Sequence, residues 1–360
     1  MPEPLKNIFN PGFIKKLSVS LKKQFPSFHE KEFSKDVLFK DWEQLELKQR
    51  IRHISLMMDR HIEGNYAQKV KGLYVPSAEF NSLHGFVFPD FVEVFGMNDF
   101  DTSLKALEHF TKYSTGEFAI RPFLIRDQER TMKKMYEWSK NNNHHIRRLS
   151  SEGCRPRLPW AMAIPALKKD PSPILPIIET LKADKEDYVY RSVANNLNDI
   201  SKDHPELVLE TCKKWKNVHP HTDWVIKHAC RTLLKKGNPK ALSLMGISHK
   251  AEFKADRLQL SSKKVKIGGF FHFSFTLVSS SQKKQKARIE YAIDFVKKGQ
   301  KLSRKIFHLR QAELLPGEII SLSKKHSFAN LTTRQHYPGE HRLTILVNGI
   351  PLIHAVFKLQ

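Results

Sequence analysis

The period of the apolar residues changes once along this chain, and that change limits the folds open to it. Up to about Gly246 the apolar side chains recur at helical spacing. In 43–58 Leu45, Ile51, Ile54 and Met58 share a face, and in 103–112 Leu104, Leu107 and Phe110 do the same. After about Ala251 the period is two. In 270–277 Phe271, Phe273, Phe275 and Leu277 fall on one face. In 288–295 Ile289, Tyr291, Ile293 and Phe295 alternate with Arg288, Glu290, Ala292 and Asp294. Leu343, Ile345 and Val347 lead into Asn348-Gly349, a two-residue hairpin signal. The expected architecture is mainly α, a helical-repeat solenoid over 1–250, then a small all-β immunoglobulin-like sandwich over 251–360. No Cys–Trp–Cys pattern accompanies the strands, which excludes an antibody-type domain. The boundary is expected within 246–264, with Ser261-Ser262-Lys263-Lys264 as a linker or first turn.

Short breaks punctuate the helical part at 141–143, 156–159, 203–205 and 237–239, each pairing a helix stop with a fresh start. Asp187-Tyr188-Val189 opens one helix and Asp223-Trp224-Val225 another that ends before Asn238-Pro239. Their separation, 223 − 187 = 36 residues, lies within the range of helical repeats.

Lys and Arg number 61 against 37 Asp and Glu, a net charge of +24. That excess attracts polyanions, and its dispersal along the chain points to a folded surface tracking phosphates rather than a basic tail. Lys227, Arg231 and Lys235 fall at i, i+4 and i+8 on what the pattern makes the last helix, with Val225, Ala229 and Leu233 facing inward. Arg147, Arg148, Arg155, Arg157 and Arg191 are further candidates for contact with a phosphate backbone. Lys263, Lys264, Lys266, Lys283, Lys284, Lys286, Lys297, Lys298 and Lys301 extend the basic character into the sandwich, and one end of it is expected to touch the same polyanion.

Several classes fall away. No apolar run reaches the ~18 residues of a membrane span, so no membrane partner is expected. Met1-Pro2-Glu3-Pro4-Leu5-Lys6 lacks the pattern of a secretory leader. Cys154, Cys212 and Cys230 lie far apart with no CxxC pair, which argues against disulfides or a cysteine zinc site. His144-His145 and His219/His221 have no Glu or Cys partner at ligand spacing, so no metal is expected. Cys154 has no fixed His–Asp pair, and Gly268-Gly269 lacks the phosphate-loop pattern.

The stretch 144–161, HHIRRLSSEGCRPRLPWA, closes one helix and opens another. Gly153 suits a helix C-cap, and Pro159 and Trp160 the first turn of the next helix. Glu152 at a helix C-terminus opposes the macrodipole and needs the nearby arginines as compensation. This run, with Pro156-Arg157-Leu158-Pro159-Trp160 at its heart, resembles the signature of the AlkC branch of HEAT-like-repeat DNA glycosylases. Glu3-Pro4-Leu5-Lys6, Leu45-Glu46-Leu47-Lys48 with Arg52-His53-Ile54, 117–123 (EFAIRPF) and 192–199 (SVANNLND) fit the same family. The resemblance covers most of 1–246, and some family members carry an immunoglobulin-like C-terminal domain.

The resemblance implies a bacterial DNA repair N-glycosylase acting in the cytoplasm on nucleoid DNA. It would excise bases made cationic by alkylation, such as 3-methyladenine, 3-methylcytosine or 1-methyladenine, from double-stranded DNA. No cofactor is expected, and a monomer is expected because nothing in the sequence suggests otherwise. A cationic base is already a good leaving group, so the task is to stabilise an oxocarbenium-like state and place a water, which carboxylates favour. An indole face can hold the cationic base. By resemblance the catalytic acids are Asp199, Glu152 and Glu117, with Asp199 foremost, and Trp160 contacts the substrate. On the helix after Asp187, Val189, Val193, Leu197 and Ile200 form the apolar stripe, while Arg191, Asn195 and Asp199 are expected to share another face. The alternatives are a non-catalytic HEAT-repeat DNA-binding protein and a glycosylase relative that has lost activity.

Overall fold

The computed structural model describes residues 3–250, 252–330 and 335–360. Met1, Pro2 and Ala251, which enter the leader and boundary readings, lie outside the described residues. Helices occupy the chain up to Leu244 and strands the chain from Phe253. None of the helices among the described residues is long and apolar enough to cross a membrane. The chain divides into two compact units, Met1–His204 with Trp215–Ala229, and Pro205–Lys214 with Cys230–Gln360.

The first unit is all helical. Side-chain oxygens cap its helices where the sequence offers Asn or Asp: Asn10 caps Pro11–Gln24, Asp99 caps Phe100–Phe110, Asp127 caps Gln128–Trp138 and Asn143 caps His144–Gly153. The helix His144–Gly153 packs on Asp187–Ile200, which packs in turn on Pro220–Ala229. Val189, Val193, Leu197 and Ile200 are all buried, as their stripe predicts.

Three local expectations are corrected. Gly153 is the last residue of its helix and has no positive φ, so it is not a left-handed cap. Its lack of a side chain serves packing instead: a Cβ there would sit 2.6 Å from Ile120 Cγ2 and 3.1 Å from Met135 Cε. Pro159 and Trp160 do not open a helix; residues 154–164 are irregular, and the next helix begins at Pro165. The stripe Lys227–Arg231–Lys235 is interrupted, because Pro220–Ala229 ends before Cys230 and a separate helix runs over Arg231–Lys235, followed by Pro239–Leu244. An i, i+8 relation holds only on a continuous helix, so these three side chains do not form one helical face.

The second unit is built on two sheets. β1 (Phe253–Leu260), β3 (Phe270–Ser279) and β6 (Ile319–Ser327) form one, in the order β1-β3-β6. β2 (Lys264–Val265), β4 (Gln285–Val296), β5 (Leu302–Leu314), β7 (Gly339–Val347) and β8 (Ile350–Leu359) form the other, in the order β2-β8-β7-β4-β5. Phe271, Phe273, Phe275 and Leu277 of β3 meet Ile289, Tyr291, Ile293 and Phe295 of β4 and Leu343, Ile345 and Val347 of β7 in one core. Asn348 and Gly349, at φ 52° and 79°, make the tight turn between β7 and β8. The second face of β4 departs from simple alternation, since Arg288, Glu290, Ala292 and Asp294 are buried as well. Arg288 pairs with Glu290 at 2.7 Å and Asp294 with Arg304 at 2.7 Å, which makes that burial tolerable.

Candidate active site

Three carboxylates from separate parts of the first unit meet around two arginines of 144–155. Arg155 donates from Nε to Asp199 Oδ2 at 2.9 Å and from Nη1 to Glu152 Oε1 at 2.5 Å. Arg148 approaches the same Glu152 oxygen at 3.5 Å, and its Nη1 donates to Glu117 and to Thr115 Oγ1. Thr115 Oγ1 in turn donates to Glu117 Oε2 at 2.8 Å. The order is therefore Glu117–Arg148–Glu152–Arg155–Asp199, with acids and bases alternating.

Burial makes this pairing obligatory. Glu152, Arg155 and Asp199 are 5%, 7% and 2% exposed. An unpaired charge at that depth is costly, so each must hold a partner of opposite sign. Burial pulls the Arg155 guanidinium down, but Glu152 and Asp199 together lift it above its ordinary value. Arg148 behaves alike: burial lowers it, and Glu152 and Glu117 more than compensate. Both stay cationic. Glu117 is only half-buried, and Asp199 Oδ1 accepts from the exposed Lys202 at 2.9 Å.

The helix Asp187–Ile200 supplies most of the scaffold. Ser192 Oγ donates to Glu152 Oε2 at 2.6 Å, and Asn196 Nδ2 donates to the Ser151 carbonyl at 2.8 Å. Tyr188, in its first turn, lays its ring 4.7 Å from the Arg148 guanidinium and remains 43% exposed. Burial, and then Glu117 and Glu152, push its phenol above the usual range, against the lowering pull of Arg148. The sequence reading missed Ser192, Asn196, Tyr188, Thr115 and Lys202. Arg191, expected to share a face with Asp199, instead turns outward, pairs with Asp187 at 2.6 Å and lies over Trp224.

Trp160 is 64% exposed and holds φ 63°. A left-handed conformation costs an L-residue about 1–2 kcal/mol, so the surroundings must enforce it. Trp160 lines a crevice shared with Phe86, Phe118 and Thr115. Thr115 thus links that crevice to the carboxylate cluster.

The remaining basic candidates separate by availability. Arg147 is bound twice by Asp184, at 2.6 and 3.0 Å, and by two backbone carbonyls. Arg155 is enclosed between its two acids, which takes it away from any phosphate face. Arg157 pairs with Asp203 and is half-exposed, while Arg191 and Lys227 are exposed. Arg231 is half-buried. Cys154 is buried, and burial pushes its thiol up to about 12, which leaves it inert as a nucleophile.

Residues 98–233 match a family described as DNA alkylation repair enzyme, and residues 254–360 match the C-terminal Ig-like domain of uncharacterised protein YhaZ. The uncharacterised protein YhaZ of Bacillus subtilis is 44% identical over 345 residues, 96% of each chain. The solved structure of Pseudomonas fluorescens alkylpurine DNA glycosylase AlkC, bound to DNA containing an abasic site analog, superposes with a TM-score of 0.96. It is 39% identical and covers 99% of this chain and 100% of that one. The chain belongs to the AlkC-type family of DNA alkylation repair glycosylases.

Proposed function

We propose that this glycosylase removes bases made cationic by alkylation, 3-methyladenine foremost, from double-stranded DNA, by carboxylate stabilisation of an oxocarbenium-like state. The observation that carries the reading is the convergence of Glu117, Glu152 and Asp199 on Arg148 and Arg155 beside an exposed Trp160. Fixed charges in a water-poor site stabilise a developing cation without reorganising when it forms. Asp199 is the main stabiliser. Of its two partners only Lys202 is exposed, so Oδ1 is the oxygen a cationic sugar reaches by displacing an ammonium. Glu117, the least buried acid, orients the attacking water, and Glu152 holds the two arginines apart. Trp160 offers its ring to the alkylated base.

Half-exposed Arg157 and exposed Arg191 and Lys227, with Arg231, are proposed to follow the phosphates. Backbone contacts position DNA without reading sequence, as a lesion in any context requires. Residues 1–250 are proposed as the glycosylase domain, a HEAT-like solenoid, a reading supported by the successive packing of 144–153, 187–200 and 220–229. The enzyme is proposed to act as a monomer on nucleoid DNA in the cytoplasm. Incubation with duplex DNA methylated in vitro, followed by chromatography of the released bases, tests the substrate class. 3-Methyladenine should dominate; release confined to uncharged bases would overturn the reading.

A further inference from the structure

Residues 154–164 carry Arg155 and Trp160, yet they have almost no regular backbone pairing of their own. Their internal contacts are Ala161 N to the Leu158 carbonyl and Ile164 N to the Pro156 carbonyl, both at 3.3 Å. Side chains from outside hold them instead. Arg121, in the first turn of Ile120–Arg126, is fully buried; among the described residues no carboxylate bonds to it directly, and Asp199 and Glu117 act on it only through space. Its Nε donates to the Met162 carbonyl at 2.7 Å, and its Nη1 to the carbonyls of Gly153 and Arg155, both at 2.9 Å. One guanidinium therefore ties both ends of the segment together. Exposed Lys48 donates to the Trp160 carbonyl at 2.8 Å.

We infer that Arg121 and Lys48 are positioning residues that hold Trp160 in its strained, outward conformation and Arg155 in register with Glu152 and Asp199. The inference rests on the reading of Trp160 as a substrate contact. Arginine is needed at 121 because only its planar fork reaches three divergent carbonyls; a lysine ammonium is a point donor on a flexible stem. Burial lowers the Arg121 guanidinium to about 10, which leaves it cationic at neutral pH. At position 48 one hydrogen bond suffices, so an arginine there can replace the lysine.

The test uses the full chain and methylated duplex DNA under single-turnover conditions, with R121K, K48M, K48R and W160A. R121K and K48M should each slow base release by at least about tenfold, as small misplacements of a site group do. K48R should restore the rate. Acrylamide quenching, with W160F as the reference, should report a more accessible indole in R121K and K48M. In the W160A background K48M should add no further slowing, because coupled residues fail to add. A phosphate contact by Lys48 would persist in that background and would overturn its positioning role. Native rates and native quenching in both R121K and K48M would overturn the inference as a whole. Should R121K not fold, K48M and K48R decide alone. A native rate in W160A itself would remove the substrate-contact reading and the inference with it, a pattern distinct from the others.

Discussion

Arg155 and Asp199 lie 44 residues apart in sequence and 2.9 Å apart in space, and that hydrogen bond helps join the irregular segment after Gly153 to the end of the helix Asp187–Ile200. The same guanidinium carries Glu152, so its loss weakens the pairing of two buried carboxylates at once and leaves Glu152 to Arg148 and Ser192, and Asp199 to Lys202. Removing one partner of a buried ion pair costs about 3–5 kcal/mol. R155M should therefore lower unfolding free energy by about that amount in urea titration, and R155K should recover part of it. A loss below about 1 kcal/mol would show that solvent already reaches the cluster.

Ser192 is the neutral donor to Glu152, at 2.6 Å and out of solvent. A hydrogen bond to a charged group contributes about 1.5–3 kcal/mol. S192A should destabilise by an amount in that range and slow base release, while DNA affinity stays within about twofold of native. Equal loss of release and of DNA binding would mean that the serine shapes the DNA surface rather than the acid.

The phase of that helix explains what the sequence conceals and what it reveals. Ser192 and Asp199 are seven residues apart, about 20° short of two full turns, whereas Arg191 is eight away, about 80° past them. The i, i+4, i+8 reading drifted by that angle and put Arg191 on the site face. Placing Tyr188, Ser192, Asn196 and Asp199 on one stripe would have been available from spacing alone. The period change near 246–264 and the Phe-rich strand 270–277 were legible because burial on one face imposes the pattern locally. Of the irregular run 154–164 only the break at 156–159 was legible; its extent was not, since Arg121 and Lys48 hold it from distant positions. The break at Cys230 was likewise hidden, because no Gly or Pro marks it.

Gly153 makes the close approach of its helix to Ile120 possible. G153A should destabilise by about 1–3 kcal/mol, the usual cost of overpacking, seen as a lower midpoint in thermal or urea unfolding. An unchanged midpoint would mean that Ile120 and Met135 repack freely.

The β-domain should weaken in acid. His326 is buried among Phe271, Phe307 and Phe328, with Nδ1 against the Tyr291 hydroxyl at 3.0 Å. Burial, and then His336, lower its imidazole to about 4 from an ordinary 6.5. Between those values the unfolded chain binds more protons than the folded one, so stability is full above 6.5 and falls as pH drops toward 4. The loss should approach about 3 kcal/mol in unfolding titrations across that window. H326L should flatten the dependence; an unchanged acid limb in H326L would assign it to other groups.

Exposed Arg191 and Lys227 should act on affinity alone. R191Q and K227Q should weaken binding to any duplex sequence and reduce the slope of log affinity against log salt by about 0.9 each. Unchanged slopes would place the DNA elsewhere.

The most direct test is single-turnover release of 3-methyladenine from methylated duplex DNA by the native chain and by D199N, with affinity for an abasic-site duplex measured alongside. The account predicts release by the native chain and a loss of at least about a hundredfold in D199N, with affinity retained. Comparable release by both would contradict the central place of Asp199, and no release by the native chain would contradict the proposed substrate.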